Sequence, residues 1–355
     1  MSPRVPDIGL YTESIDHFIE TLAVGLAEEG RCTVHLISVE RPRPPASDDP
    51  KGRLRLALRP EIRLHSLRSA PIPLDFLFVH LTDYAFVSRK LLSWARRARR
   101  WGIMTENHYR GSRLSRLKEV VRGLPYSLLA DRAVFQAGPR APAPFRVRHR
   151  LHYAPTAHPQ FLYGGGLQRK MFSEVAAADP RRWRLAFFGN LAPAARTAIL
   201  RRVQAALAAR GIGPAAAPTE TPTGIPVLWM EYGEGASGRG VDPDEYIDLM
   251  TQSDFALSPP GYNVWTHRTA EAVLRGVIPI MERPEEDNIG LIDGESCIEV
   301  HAGRWEEAVA RSLAMTPEQI LAMRQAVLEK CRPQLLFPAY TRRIFDGMMP
   351  ERSRS

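Results

Sequence analysis

Residues 246–281 read YIDLMTQSDFALSPPGYNVWTHRTAEAVLRGVIPIM, and this stretch decides the fold. The pattern predicts a helix that leads into a buried strand at 253–257, which stops at the prolines before Gly261. A second helix then carries Arg268 and Glu271 on one face and ends at Gly276, before an apolar strand at 277–281. Strand–loop–helix units of this kind place a helix N-terminus at the carboxyl edge of a parallel sheet, where anions bind.

Length and composition favour a protein with two domains. The chain has 355 residues, of which 44% are hydrophobic, and no apolar run approaches the roughly 20 residues that span a bilayer. The first residues contain no signal-peptide core. Three scattered cysteines form neither a metal-binding spacing nor an even disulfide set. We therefore expect a cytoplasmic protein.

The net charge of +9 favours an anionic partner, such as nucleotide phosphates, nucleic acid or an anionic membrane surface. Arginines cluster in the first half, around residues 96–100, 110–118 and 146–150. The simpler interpretation of these arginine clusters is that they lie on solvent-exposed helix faces. The leucines and valines within 114–121 also fit a basic amphipathic helix that contacts a membrane peripherally. Interleaved aromatics of the single-strand-binding kind are missing from the clusters, so no nucleic acid is expected as a partner.

Strands and helices alternate along both halves of the chain. Residues 8–11 and 34–39 read as strands around a helix at 15–29, with further strands at 62–65, 76–80, 102–105 and 133–135 and a basic helix over 84–100. The alternation breaks between 137 and 183, a stretch rich in proline and glycine in which we expect only a short helix. It resumes with a strand at 183–189. We predict an α/β fold of two sequential Rossmann-like domains. The predicted segments are a first domain (1–160), a linker (161–182), a second domain (183–335) and a helical tail (336–355) that returns to the first domain.

Two arginines are candidates for binding phosphate. An apolar strand ends at Gly189-Asn190, and a helix that begins near Pro193 carries Arg196. Free backbone N–H groups there attract phosphate, and Arg196 adds a charge-assisted contact; a turn glycine with a surface arginine is the alternative. Arg268 lies in the first turn of the second helix, where a cation opposes the helix dipole unless an anion is bound. Glu271, one turn on, is suited to accept hydrogen bonds from sugar hydroxyls, or alternatively forms an ion pair with Arg268 or Arg275.

Two other patterns imitate ligand sites. Asp242-Pro243-Asp244 has the Asp-x-Asp form of a manganese site, but it precedes a helix. We interpret Asp242 as the N-cap and Pro243 as the first helical residue. The glycines at 233–240 have the wrong spacing for a dinucleotide fingerprint and predict a mobile loop, and those at 164–166 predict a hinge. No metal site is predicted.

The second half resembles the exostosin family, glycosyltransferase family 47, over about residues 183–335. The matching positions are Tyr246, Met250, Ser253, Phe255, Leu257, Pro259, Gly261, Arg268, Glu271, Ala272, Gly276, Ile278 and Pro279, with Phe188-Gly189 and Arg196 upstream. The chain departs from the family pattern at Ala256, Pro260 and Ile280 and lacks a secretory stem. Similar patterns occur in group-1 and CgeB-like glycosyltransferases.

The resemblance implies an inverting glycosyltransferase with an α/β fold of the GT-B type, two Rossmann-like domains with a cleft between them. Residues 1–160 would then form the acceptor-side domain and residues 183–335 the donor-binding domain. Such an enzyme needs no catalytic metal or other cofactor and uses a nucleotide diphosphate sugar as donor, with a glycan, a lipid-linked molecule or a small molecule as the hydroxyl acceptor. The resemblance assigns the diphosphate and the sugar or ribose of the donor to Arg196, Arg268 and Glu271. We add Gly189, Asn190, Gly261, Tyr262 and Asn263 as further donor-binding candidates. Retaining chemistry of the group-1 or CgeB-like kind, or a non-catalytic nucleotide-sugar or glycan-binding protein, are the alternatives.

An inverting transferase also needs a general base for the acceptor hydroxyl. His17 follows the first strand at a helix start, and Glu106 and His108 follow another strand end. His80 and Asp83 form a third group, which fits helix capping better. The sequence does not rank these candidates, and each also fits a polar residue at a helix start or strand end.

Overall fold

The structure is a computed structural model of residues 1–355. In the first half of the chain it describes residues 5–12, 22–27, 30, 32–38, 62–65, 73–81, 98–105, 132–136 and 149–153. In the second half it describes residues 157–158, 161, 165–191, 194–231, 241–261, 266–283 and 289–336, with 339 and 342. The chain divides into two compact units, one made of Met1–Tyr153 with Phe337–Ser355 and the other of Ala154–Leu336.

The first unit contains a seven-stranded sheet in which every described pairing is parallel. Its strand order is β3-β2-β1-β4-β5-β6-β7. The strands are β1 (Asp7–Thr12), β2 (Thr33–Ser38), β3 (Ile62–His65), β4 (Phe76–Leu81), β5 (Trp101–Thr105), β6 (Arg132–Gln136) and β7 (His149–Tyr153). The predicted strands are all present, and residues 22–27 of the predicted first helix are helical.

Two predictions for this unit were wrong. The edge strand β7 lies inside the stretch where we predicted that regular structure breaks. The basic helix predicted over 84–100 does not extend to its predicted end, because the Arg99 N–H donates to the Leu74 carbonyl and Ala98 forms a parallel bridge with Leu74. Residues 82–97 lie outside the described part of the chain.

The second unit contains a five-stranded parallel sheet of order β12-β11-β10-β8-β9. The strands are β8 (Trp183–Gly189), β9 (Val227–Glu231), β10 (Ser253–Leu257), β11 (Ile278–Met281) and β12 (Ile298–Glu299). Almost every residue of β8, β10 and β11 is buried, as expected for parallel strands that helices cover on both faces. The chain leaves β8 toward β9 and returns to β10 on the other side of β8. The carboxyl ends of β8 and β10 therefore form a topological switch point, the usual place for a ligand in such sheets.

The helices of the second unit follow the predicted rhythm. They are α1 (Gly165–Phe172), α2 (Ala194–Ala208), α3 (Pro243–Thr251), α4 (His267–Leu274), α5 (Trp305–Ala314), α6 (Pro317–Ala326) and α7 (Arg332–Leu335), with a π-helical turn at Val327–Cys331 between the last two. Among the described helices, none has the length and apolar character that crossing a membrane requires.

The capping interpretation of Asp242 is confirmed. Its carboxylate accepts from the backbone N–H groups of Asp244 and Glu245, and Pro243 opens α3. The Asp244 carboxylate is paired with Lys170 of α1 at 2.7 Å. Both acidic groups of this Asp-x-Asp pattern therefore have structural partners.

Helix α1, which lies within the predicted linker, is fastened to the second unit by two arginines. The Arg275 Nη1 group donates to the carbonyls of Lys170, Met171 and Ser173 at 2.7–3.2 Å. Its Nε donates to Thr251 Oγ1 at 2.8 Å. Arg332 donates from Nη2 to the Phe172 carbonyl and from Nε to the Leu274 carbonyl. These contacts satisfy the last carbonyls of α1, which have no partner within the helix.

Replacing Arg275 with alanine is expected to lower the free energy of unfolding by about 3 kcal/mol, because the change removes hydrogen bonds from a charged donor to three carbonyls and to Thr251 Oγ1 at a part-buried site. Thermal and urea unfolding measure the loss. Arg210→Ala is the matched control, since Arg210 makes one exposed hydrogen bond, to the Ala206 carbonyl. Equal stability of the two variants would contradict the anchoring role of Arg275.

Candidate functional site

A cavity of about 470 Å³ opens at the switch point of the second sheet. Strand β8 ends at Gly189, so Asn190 and the start of α2 form one wall, and the first turns of α3 and α4 form others. The described residues that line it are His158, Phe161, Asn190, Arg196, Val241, Pro243, Tyr246, Thr266, His267, Arg268 and Glu271. All of them belong to the second unit.

Arg268 is the most informative residue of this cavity. Its side chain is 9% exposed, and its guanidinium carbon lies 5.1 Å from the centroid of the Phe187 ring. Among the residues that the structure describes, none accepts a hydrogen bond from Nε or Nη1 of this buried group. The first turn of α4 contains no acidic residue, and Thr266, its N-cap, makes no side-chain cap hydrogen bond. A buried cation without acceptors, at a helix N-terminus that itself favours anions, is arranged to bind an anionic ligand.

Arg196 is the second buried cation of the wall and is also 9% exposed. Its Nη1 donates to the Asn190 side-chain oxygen at 2.9 Å, and its Nε donates to the Pro260 carbonyl at 3.3 Å. These contacts tie the end of β8 to the loop after β10. Asn190 therefore acts on the site by orienting Arg196.

Two glycines leave room for these arginines. A Cβ atom at Gly261 would lie 2.5 Å from Arg196 Nη2, and one at Gly189 would collide with Arg268 Nη2. We predicted both glycines as donor-binding residues. In the structure, each lets a guanidinium pack directly against the backbone at a strand end.

Gly261→Ala is expected to displace Arg196 without unfolding the protein, because the colliding atom is the end of a flexible side chain. We expect anion or nucleotide affinity to fall about tenfold, the loss of roughly one charge-assisted hydrogen bond, with a stability change of less than about 1 kcal/mol. Gly166→Ala is the control, since no heavy atom lies within 4 Å of its Cβ position. Titration calorimetry and thermal unfolding separate the two effects, and unchanged affinity in Gly261→Ala would contradict the packing argument.

Glu271 lines the cavity and is 4% exposed. Its Oε2 accepts from the Tyr246 hydroxyl at 2.5 Å, and its Oε1 accepts from the His158 backbone N–H at 2.9 Å. Neither of the ion pairs that we weighed as an alternative, with Arg268 or with Arg275, occurs among the described contacts of Glu271. Each carboxylate oxygen can accept a further hydrogen bond, so a ligand hydroxyl can still bind it.

The sequence did not point to His158, Phe161 or His267 as site residues. His158 and Phe161 lie more than 80 residues before α3, and the Phe161 ring stacks on Tyr246 at a centroid distance of 5.8 Å. In the sequence, His158 lies between Pro155 and Pro159, a pattern that indicates no chemistry. Tyr246 belongs to the motif, but the motif alone did not indicate its bond to Glu271.

Five predicted site residues lie outside the described residues: the base candidates His17, Glu106 and His108, and the loop residues Tyr262 and Asn263. Of the described residues, no group of three or more His, Cys, Asp or Glu side chains is placed to hold a metal ion.

Comparison with family models and with curated protein sequences finds no match. Solved structures do match. The N-terminal domain of trehalose-6-phosphate phosphatase from Candida albicans aligns with a TM-score of 0.61 at 12% identity, covering 97% of each chain. The α,α-trehalose 6-phosphate synthase of Burkholderia multivorans gives 0.53 at 12% identity, covering 98% of this chain and 96% of the synthase. Anabaena Alr3699/HepE, solved in complex with UDP-glucose, gives 0.53 at 12% identity, covering 96% of this chain and 98% of HepE.

At these identities the similarity concerns the fold alone. The matches span nearly the whole chain and both parallel sheets. The predicted fold class, an α/β fold of the GT-B type with two Rossmann-like units, is confirmed.

Proposed function

We propose that this protein is a glycosyltransferase, which moves a sugar from a nucleotide diphosphate sugar to a hydroxyl acceptor. The observation that carries the proposal is the buried Arg268, with Nε and Nη1 unpartnered among the described residues, in a cavity at the switch point of a GT-B sheet. The diphosphate of a nucleotide sugar carries two negative charges, which match Arg196 and Arg268. The resemblance to the exostosin family in 183–335 and the fold neighbour solved with UDP-glucose support the same class of donor.

The contacts support the following donor site. The Arg268 guanidinium donates to the diphosphate, Arg196 adds a second charge, and Glu271 accepts from a sugar or ribose hydroxyl. Gly189 and Gly261 leave space for the two guanidinium groups to pack against the strand ends, and Asn190 orients Arg196. We assign the loop residues Tyr262 and Asn263 to the same site. We also keep the predicted division into an acceptor-side domain, a linker, a donor domain and a tail that returns to the first domain.

The finer chemistry follows the exostosin resemblance. Transfer proceeds with inversion and without a catalytic metal or other cofactor, and the arginines stabilise the leaving diphosphate. The base that accepts the proton of the hydroxyl is His17, or alternatively Glu106 or His108. The acceptor is a glycan, a lipid-linked intermediate or a small molecule. We place the protein in the cytoplasm, with the basic first half in peripheral contact with anionic lipid and no role in nucleic-acid binding.

Thermal-shift screening against the sugar nucleotides of UDP, GDP, CMP and dTDP tests donor binding. A ligand present at 100 times its dissociation constant stabilises the folded state by about 2.7 kcal/mol. The sugar nucleotide of one base should therefore raise the unfolding temperature by several degrees more than the others. If none of the nucleotides raises the unfolding temperature, the donor site is refuted.

Assays with the nucleotide that binds, over a panel of acceptors, then test transfer. An enzyme releases the nucleoside diphosphate and glycosylates an acceptor, whereas a nucleotide-sugar or glycan-binding protein does neither. The anomeric configuration of the product, read by NMR, distinguishes inversion from the retaining group-1 or CgeB-like alternative. If His17→Ala keeps full turnover, His17 is not the base, and the same assay then ranks Glu106 and His108.

A further inference from the structure

Two histidine rings lie side by side inside the candidate donor cavity. His267 is the first residue of α4, and its ring meets that of His158 edge-on, with centroids 5.5 Å apart at an angle of 82°. The His158 backbone is held by Glu271 Oε1. Both rings therefore line the same cavity as the two buried arginines.

The fixed charges of the described cavity lining offset the negative charge of the donor more fully than that of the product. Among the described lining residues, the cations are Arg196 and Arg268, the anion is Glu271, and the other titratable groups are Tyr246 and the two histidines. A nucleotide sugar brings two negative charges on its diphosphate. After transfer the terminal phosphate becomes a monoester, which ionises a second time near pH 6 and so adds about one more negative charge at neutral pH. No fixed cation of the described lining offsets that added charge.

Imidazole is the side chain that can gain a positive charge near neutral pH. The two rings are close enough that two charges on them would repel, so the pair takes up about one proton and not two. We propose that His158 and His267 together take up a proton when the nucleoside diphosphate product is bound, which makes the pocket hold this product more tightly than the donor. The inference rests on the proposed function, because it requires the cavity to bind the donor and its diphosphate product.

The proton uptake has a defined sign. Because the complex binds a proton that the free protein does not, affinity for the nucleoside diphosphate should increase as pH falls, by up to about tenfold per pH unit between pH 8.5 and 7. In that range the nucleotide is already almost fully ionised, so its own titration contributes little. The sugar nucleotide lacks the monoester charge, and its affinity should change little over the same range.

Titration calorimetry at pH 7.5 in buffers of different ionisation enthalpy measures the uptake directly. The ligands are UDP, GDP, CDP and dTDP, each beside its hexose ester. For the base that binds, we expect about 0.5–1 proton taken up per nucleoside diphosphate and about 0.2 or fewer per sugar nucleotide. The double variant His158→Asn/His267→Asn should reduce the uptake to about 0.2 proton or fewer, whereas either single variant keeps one imidazole that can take up the shared proton. His301→Asn is the matched control, because His301 is half exposed and lies outside this cavity.

The outcomes separate the two claims. If no nucleotide binds, the proposed function fails. If the nucleoside diphosphate binds with no proton uptake, or if uptake persists in the double variant, the donor site stands and the histidine pair is refuted. The buffer comparison on the unaltered protein needs no variant, so a histidine variant that fails to fold does not leave the question open.

Discussion

Replacing Arg268 with methionine is expected to abolish nucleotide binding and to leave the protein at least as stable as before. Each hydrogen bond from the guanidinium to phosphate contributes about 1.5–3 kcal/mol, so losing two should weaken binding by at least about 100-fold. In the free protein, Nε and Nη1 of Arg268 have no partner among the described residues. Removing a buried charge of that kind removes a desolvation cost, and methionine keeps much of the apolar contact with Phe187.

Calorimetric titration and urea unfolding measure the two effects separately. Arg202→Met is the control, since the Arg202 side chain on α2 is 52% exposed and forms an ion pair with Glu306. It should change neither nucleotide affinity nor stability by more than a few tenths of a kcal/mol. A marked loss of stability in Arg268→Met would mean that Arg268 is a structural cation, and the argument for an anion site would then fail.

Replacing Glu271 with alanine is expected to damage the fold and the binding site together. The change removes the hydrogen bonds that Glu271 accepts from the buried Tyr246 hydroxyl and from the His158 backbone N–H. Each hydrogen bond to a charged group contributes about 1.5–3 kcal/mol, so the free energy of unfolding should fall by about 3 kcal/mol. Urea unfolding measures this loss, and stability equal to that of the unaltered protein would contradict the described geometry.

The Glu271→Gln variant separates the structural role from the binding role. Glutamine keeps the size and one acceptor oxygen, so most of the stability should return. A neutral amide is a weaker acceptor for sugar hydroxyls, and affinity for the sugar nucleotide should fall about tenfold. Tyr246→Phe is the companion control, since it removes one hydrogen bond of Glu271 and should lower stability with little change in affinity. If Glu271→Gln binds the sugar nucleotide as well as the unaltered protein does, Glu271 only supports the fold.

The fold was readable from the sequence because parallel strands covered on both faces are continuous apolar runs. Strands β8, β10 and β11 are of this type, and each is followed by a glycine or proline signal. The edge strand β7 was missed because its sequence, HRLHY, is short and mostly polar and lies next to a proline-rich stretch. The register with β6 fixes it as a strand, and that pairing is a tertiary contact.

The site was only partly readable. Local rules placed Arg268 in the first turn of a helix. The structure adds that this cation is buried and that its Nε and Nη1 have no acceptor among the residues it describes. The sequence could not tell whether a phosphate or a side chain approaches Gly189 and Gly261, because either requires a glycine. The bond between Glu271 and His158 could not be anticipated, because the His158 N–H comes from a segment 113 residues away.

A crystal structure of the protein with the best-binding nucleoside diphosphate tests the central claim most directly. We predict that the diphosphate lies in the cavity at the carboxyl ends of β8 and β10, with its oxygens within about 3.2 Å of the Arg268 and Arg196 guanidinium groups. A nucleotide bound elsewhere, or an Arg268 that pairs with a protein carboxylate while the nucleotide is bound, would contradict the account.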